Sequence, residues 1–306
     1  MSDCRYLINI MENCRLCPRE CGINRLTGAR GVCGMGAEIT VARAALHFWE
    51  EPCISGTRGS GTVFFSGCSL HCSFCQNEPI SRGRAGKIIS IERLCEIFFE
   101  LKTHGAHNIN LVTPTHFIPQ ITSALRIAKE KGLNLPIVCN CGGYENVEAL
   151  RIWDGLIDIY LPDLKFYAKT LSKAMCGAPN YFEKASLALL EMFRQTGEPQ
   201  FDKDGLMQKG MIVRHLMLPG HLFDTRQLLS YLYDTYGNKI YISLMNQYTP
   251  PASTDTEPDA PDHPLREDHY EAMVQYLEEL GQENAYVQDS GTDSESFIPP
   301  FDLTGI

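Results

Sequence analysis

The chain of 306 residues is 44% hydrophobic and 21% charged, enough apolar material for one large core or two modest ones and too much for a disordered chain. Its 27 Lys and Arg against 37 Asp and Glu leave a net charge of -10 and a pI of about 5.4, the wrong sign for a surface that releases counterions from nucleic acid. No apolar run approaches the roughly 20 residues that span a bilayer. The opening MSDCRYLINIMENCRLC has acids and cysteines where a secretory signal places basic residues and an apolar stretch, so the expected location is the cytoplasm, with neither nucleic acid nor membrane as partner.

Residues 1–60 form the first expected unit, a loop-rich module dense in Cys, Gly and Arg. In a chain with 13 cysteines, an odd number in a reducing compartment, metal or redox chemistry explains the thiols better than disulfides do. Cys14, Cys17, Cys21 and Cys33, with a C-x2-C pair and Gly-flanked turns, are a possible second metal site. Four thiols satisfy a zinc ion or an iron–sulfur cluster, and Arg15, Arg19, Arg25 and Arg30 offset thiolate charge in either case. The alternative is a metal-free module packed on the rest of the chain.

From Gly61 the texture changes. Strands are expected at Thr62–Ser66, Asn108–Thr113, Pro136–Cys139, Ile157–Leu161, Met211–Leu216, Lys239–Leu244 and Ala285–Gln288. Helices are expected at Ile91–Lys102, Ile118–Lys131, Glu145–Ile152, in stretches ending near Gln195, at Thr225–Tyr236 and at Arg266–Leu280. Six strand–helix units of this length imply an α/β fold whose parallel strands make a partial (β/α)6 barrel over residues 61–306, with the Cys-rich segment as an N-terminal extension. An open doubly wound sheet is the alternative. Either architecture gathers function at the C-terminal strand edges, here GCSLHCSFCQN, TPTH, NCGGYE, PDLKF, RHLMLPGH and NQYTP. The Pro-rich, acidic stretch Thr249–Pro264 is expected to be a surface loop.

Cys68, Cys72 and Cys75 give C-x3-C-x2-C directly after the first of these strands. Three thiolates on one loop can hold a cubane and leave one iron open, whereas a structural zinc needs a fourth ligand from His71 or further away. The motif, with Phe74 before the last cysteine, resembles the signature of the radical S-adenosylmethionine superfamily. The stretches EEPCISGTRGSGTVFFSGCSLHCSFCQN, NLVTPTHFIP, IYLPDLKF, GMIVRHLMLPG, ISLMNQYTP and FIPPFD resemble an uncharacterised branch similar to pyruvate formate-lyase activating enzymes.

This resemblance implies a 4Fe–4S cluster on Cys68, Cys72 and Cys75, with S-adenosyl-L-methionine on the open iron and its reductive cleavage to a 5′-deoxyadenosyl radical that abstracts hydrogen. It implies an external electron donor such as flavodoxin or ferredoxin, and a glycyl radical enzyme as protein substrate. Other outcomes are modification of a small molecule or peptide, and an iron–sulfur binding or redox-sensing protein without turnover. Phe74, Thr113, Thr115, Asn140, Asp163, Arg214 and Gln247 are then expected around the cofactor, and Asp163, Lys165 and His116 as catalytic groups. Thr113–His116 stands where the superfamily commonly has Gly-Gly-Glu. Alternation places Asp163 and Lys165 on one strand face and lets only one of Arg214 and His215 look inward.

Overall fold

The computed structural model describes residues 8–250, 260–288 and 299–306. Ten strands are present among them: β1 (Ile39–His47), β2 (Ser60–Phe65), β3 (Lys87–Ile89), β4 (Ile109–Val112), β5 (Ile137–Cys141), β6 (Ile159–Pro162), β7 (Gln200–Phe201), β8 (Met207–Leu216), β9 (Tyr241–Met245) and β10 (Ala285–Val287). The sheet runs β10-β9-β8-β6-β5-β4-β2-β1-β3, with β7 alongside β8.

From β2 to β10 every neighbour on this path is parallel, with Val63 opposite Leu111, Leu111 opposite Cys139, Cys139 opposite Tyr160 and Val213 opposite Ile242. β10 and β3 end the path without meeting, so the barrel is partial, as the strand–helix count implies. The strands are legible because a parallel sheet is covered on both faces and its strands are continuously apolar. All residues of β2, β4, β5 and β6 are buried.

The helices that cover the sheet form where apolar residues recur every three or four positions. In Ile118–Glu130 the buried positions include Ile118, Ile121, Leu125 and Ala128, one stripe against the sheet. Ile91–Thr103 starts at Ser90, whose hydroxyl accepts from the Arg93 amide at 3.1 Å, satisfying one of the orphan donors of the first turn. Lys169–Cys176 and Tyr181–Thr196 fill the region for which the sequence reading sets only a rough end.

The segment before residue 60 is more regular than its composition implies. β1 lies within it and pairs antiparallel with β2, Ala44 opposite Val63, and with β3 on its other side. The C-terminal residues also reach β1, with the Ala44 amide donating to Thr304 O at 2.9 Å. Of the Pro-rich stretch, residues 251–259 lie outside the described residues. The described part returns to the barrel through Tyr248, whose hydroxyl donates to Pro261 O at 2.6 Å. Among the described residues no helix is long and apolar enough to cross a membrane.

Candidate active site

β2 feeds directly into the loop that carries Cys68, Cys72 and Cys75. Gly67 makes the turn with φ +89°, and a Cβ there would stand 2.7 Å from the Cys33 carbonyl oxygen, so a side chain would collide with the N-terminal segment. The three thiols line one cavity of about 220 Å³ at the C-terminal strand edges. The Leu70 amide donates to Cys68 Sγ at 3.4 Å, and the Asn77 amide donates to Cys75.

Burial pushes the Cys68 thiol up to about 12 and the Cys75 thiol up to about 11. A hydrogen bond to Cys176, with burial, holds Cys72 well above the ordinary value. The bare pocket thus favours neutral thiols, and a bound cation is what reverses that preference.

The donor set fits a thiolate-ligated cluster. Backbone N–H groups face two of the sulfurs, the Lys165 ammonium is close enough to favour thiolate at Cys72 and Cys75, and Phe64, Phe65 and Phe74 wall the cavity. Cys141, the other cysteine lining it, comes from β5 and is engaged with Cys139 and Glu145.

The floor of the cavity is a charge network drawn from four strand ends. Arg214, at the end of β8, donates from Nε to Asp163 Oδ1 at 2.9 Å, from Nη1 to Glu50 Oε2 at 3.2 Å and from Nη2 to Asn140 Oδ1 at 2.6 Å. Lys165 Nζ meets Asp163 Oδ2 at 2.6 Å. Asn110 and Asn140 donate to Glu50 Oε1 at 2.9 and 3.2 Å. Burial works against the Asp163 carboxylate, but Arg214 and Lys165 outweigh it and hold its pKa below the ordinary value. Burial likewise opposes the Arg214 and Lys165 cations, yet their carboxylate partners keep both pKa values raised. At Glu50 burial wins and the carboxyl is raised.

Alternation holds as expected. Asp163, Lys165 and Arg214 all line the cavity, while His215 turns outward, its ring bonded to Leu164 O at 2.7 Å and Thr225 Oγ1 at 2.9 Å. Thr113 also lines the cavity and carries φ +54°, a strained conformation for a β-branched residue, while its amide donates to Asn140 O at 2.8 Å. Phe74 lies edge-on to Phe166 with centroids 5.9 Å apart. Gln247 closes the β9 side, its carbonyl accepting from Gln76 Nε2 at 2.8 Å.

Two expected site residues do not reach this cavity. His116 is buried and its Nε2 donates to Ser66 O at 2.7 Å; burial, with Arg25 nearby, pushes its pKa down to about 3. The neutral ring is spent on that carbonyl. Thr115 is turned to Glu145. In both cases the short 3-10 turn Thr115–Phe117 rotates the side chains away from the strand edge.

Glu50 and Arg19 have partners here that the sequence does not announce. Glu50 precedes β2 in the Glu50-Glu51-Pro52 run, an ordinary acidic loop until the fold brings it to Arg214. Arg19 donates from Nε to Ser69 O at 2.8 Å, from Nη1 to Gly177 O at 2.5 Å and from Nη2 to Cys176 O at 2.7 Å, and stands over the Tyr144 ring at 5.5 Å. It ties the N-terminal segment to the thiol loop.

Residues 62–229 match the family described as the Radical SAM superfamily. Over 263 residues, 82% of this chain and 70% of the other, the sequence is 29% identical to the uncharacterized protein MJ0674 of Methanocaldococcus jannaschii. The fold is similar to that of SuiB of Streptococcus suis, with a TM-score of 0.52 and 16% identity, covering 74% of this chain and 48% of SuiB. HydG, a maturase of the FeFe-hydrogenase, aligns with a TM-score of 0.48 and 13% identity, over 72% of this chain and 53% of HydG. The chain thus spans about half the length of the solved structures it matches.

Proposed function

Because the chain belongs to the radical SAM superfamily, whose enzymes use a 4Fe–4S cluster and S-adenosylmethionine with electrons from an external reductant, we propose that Cys68, Cys72 and Cys75 hold that cluster and that the cavity beside them is the active site. When bound, the cluster and cofactor supply the 5′-deoxyadenosyl radical that takes hydrogen from substrate. The observation that carries the assignment is that these three thiols and the Asp163, Lys165, Arg214 and Glu50 side chains line one cavity.

The chain's own residues do the positioning. Asp163 and Glu50 with Arg214 and Lys165 place both signs of charge on one floor, which suits a ligand bearing an ammonium and a carboxylate. Asn140, held between Arg214 and Glu50, fixes the orientation of that floor. Phe64, Phe65, Val112 and Leu216 on the walls keep water from the reacting atoms.

The substrate reading favoured is a polypeptide of a partner protein, with hydrogen taken from a backbone glycine. It is supported by the resemblance to activating enzymes and by Trp49 at the cavity, 58% exposed, an aromatic of the type enriched where proteins meet. The test is anaerobic. Replacing Cys68, Cys72 or Cys75 by Ala should each remove about four irons per chain. Wild-type protein with a strong reductant should release 5′-deoxyadenosine, and a partner-borne radical signal should vanish when one partner glycine is replaced. Unchanged iron in all three variants overturns the cluster assignment, and radical signal only on a small molecule overturns the polypeptide reading.

A further inference from the structure

Behind the thiol loop lies a second set of cysteines that the proposed chemistry does not use. Backbone hydrogen bonds fold their segments together: the Cys14 amide donates to Ile23 O and the Gly22 amide to Cys14 O, both at 3.0 Å, while the Glu20 amide donates to Cys17 O and the Gly34 amide to Gly31 O, also at 3.0 Å. These bonds make two tight turns, one around Cys17 and one leading to Cys33, on either side of a short paired stretch. Gly31 presses on Cys21, and a Cβ there would stand 2.7 Å from its sulfur.

The sulfurs are met by backbone donors. The Val32 amide donates to Cys21 Sγ at 3.5 Å, the Arg19 amide to Cys17 and the Met35 amide to Cys33. At Cys17 and Cys33 the donor is the amide two residues on, the same pattern as at Cys68 and Cys75. Such N–H groups are aimed where negative charge on sulfur is stabilised. Cys14 and Cys33 are buried, Cys17 and Cys21 partly so, and no disulfide joins any of the described cysteines.

We propose that Cys14, Cys17, Cys21 and Cys33 are a second, tetrathiolate metal site, closed by protein ligands and placed directly against the radical loop. The contact between the two is the Cys33 carbonyl against Gly67, next in sequence to Cys68, together with the Arg19 bonds to Ser69 O and Cys176 O. The four sulfurs do not yet stand at the spacing of one ion among the described residues, so loading draws the two turns inward. The shared chemistry is a thiophilic metal with four thiolates, which a zinc ion or an iron–sulfur cluster supplies. Ordering this segment fixes Arg19, and through it the backbone of the radical loop.

The test is metal analysis of the full chain. A variant with Cys68→Ser, Cys72→Ser and Cys75→Ser, purified without oxygen and reconstituted in separate arms with zinc and with iron plus sulfide, should still hold about one zinc or about four irons with an iron–sulfur absorption band. Adding Cys14→Ser and Cys33→Ser should abolish whichever binds. Wild type offers an arm that needs no variant to fold: it should carry zinc beside about four irons, or about eight irons. Wild type with about four irons and no zinc, the iron being lost from the triple variant, overturns the proposal, as does metal on the triple variant that survives loss of Cys14 and Cys33. Loss of the radical-loop irons alone leaves these readouts intact, so the two sites fail separately.

Discussion

Replacing Arg214 by Met isolates the weight of the charged floor. Met keeps much of the side-chain volume and removes the cation that serves Glu50, Asp163 and Asn140 at once. Asp163 retains Lys165 at 2.6 Å, so it stays paired. Glu50, whose side chain is 7% exposed, keeps only the Asn110 and Asn140 amides, too little for a buried charge. Removing one partner of a buried pair costs about 3–5 kcal/mol, which for a chain of this size lowers the thermal midpoint by roughly 10 °C. Because Glu50 is the stranded group, adding Glu50→Gln should return about 1–3 kcal/mol of that loss. The pH dependence has a fixed sign. Burial already raises the Glu50 pKa, and without Arg214 it rises further; a raised carboxyl contributes stability below its unfolded pKa and loses it as pH climbs through the folded one. The deficit of Arg214→Met should therefore be smallest near the ordinary carboxyl range and widen toward alkaline pH. Denaturation of the metal-free wild type, both singles and the double across that range gives the cycle. A single variant within about 1 kcal/mol of wild type, or a double as unstable as Arg214→Met, refutes the reasoning.

Glu145 should titrate in the folded chain at about 7, raised by burial, with Oε2 lacking a hydrogen-bond partner. Its raised pKa makes up to about 3 kcal/mol of stability present below the model-peptide value and lost as pH rises to neutrality, so Glu145→Gln should flatten urea stability between mildly acid and neutral pH and stabilise the chain above it. Arg19→Ala should cost about 1–3 kcal/mol and speed amide exchange in residues 68–75 and 175–178, with Arg19→Lys recovering little because one ammonium cannot span three carbonyls. Gly67→Ala, at φ +89° against the Cys33 carbonyl, should lower stability by about 1–3 kcal/mol and loosen iron retention, read by iron content after gel filtration.

What the sequence discloses follows from what periodicity can carry. β2 and β4 to β6 declare themselves because both faces are buried and the apolar run is unbroken. β1 does not, because Arg43 and three alanines interrupt ITVARAALH, and β3 and β7, at three and two residues, are too short for any period. The thiol loop, Asp163, Lys165 and Arg214 are legible for a related reason: they sit at the ends of strands that are themselves legible, and strand ends in a parallel sheet share one rim. His116 is the exception that tests this logic. It lies at such an edge, yet a one-turn helix begins at Thr115 and turns the ring to Ser66 O, a rotation that Pro114 and the residues after it do not announce. Glu50 and Arg19 fail for the opposite reason. Their partners lie far along the chain, at Arg214 and at the carbonyls of Ser69, Cys176 and Gly177, and a carbonyl has no letter in the sequence. Both arise upstream of the first parallel strand, so the N-terminal 60 residues, which look like an appendage by composition, supply a carboxylate to the cavity floor and a guanidinium to the thiol loop. A chain cut at residue 60 would therefore take β1 from between β2 and β3 and leave Arg214 without Glu50 and the three-cysteine loop without its clamp.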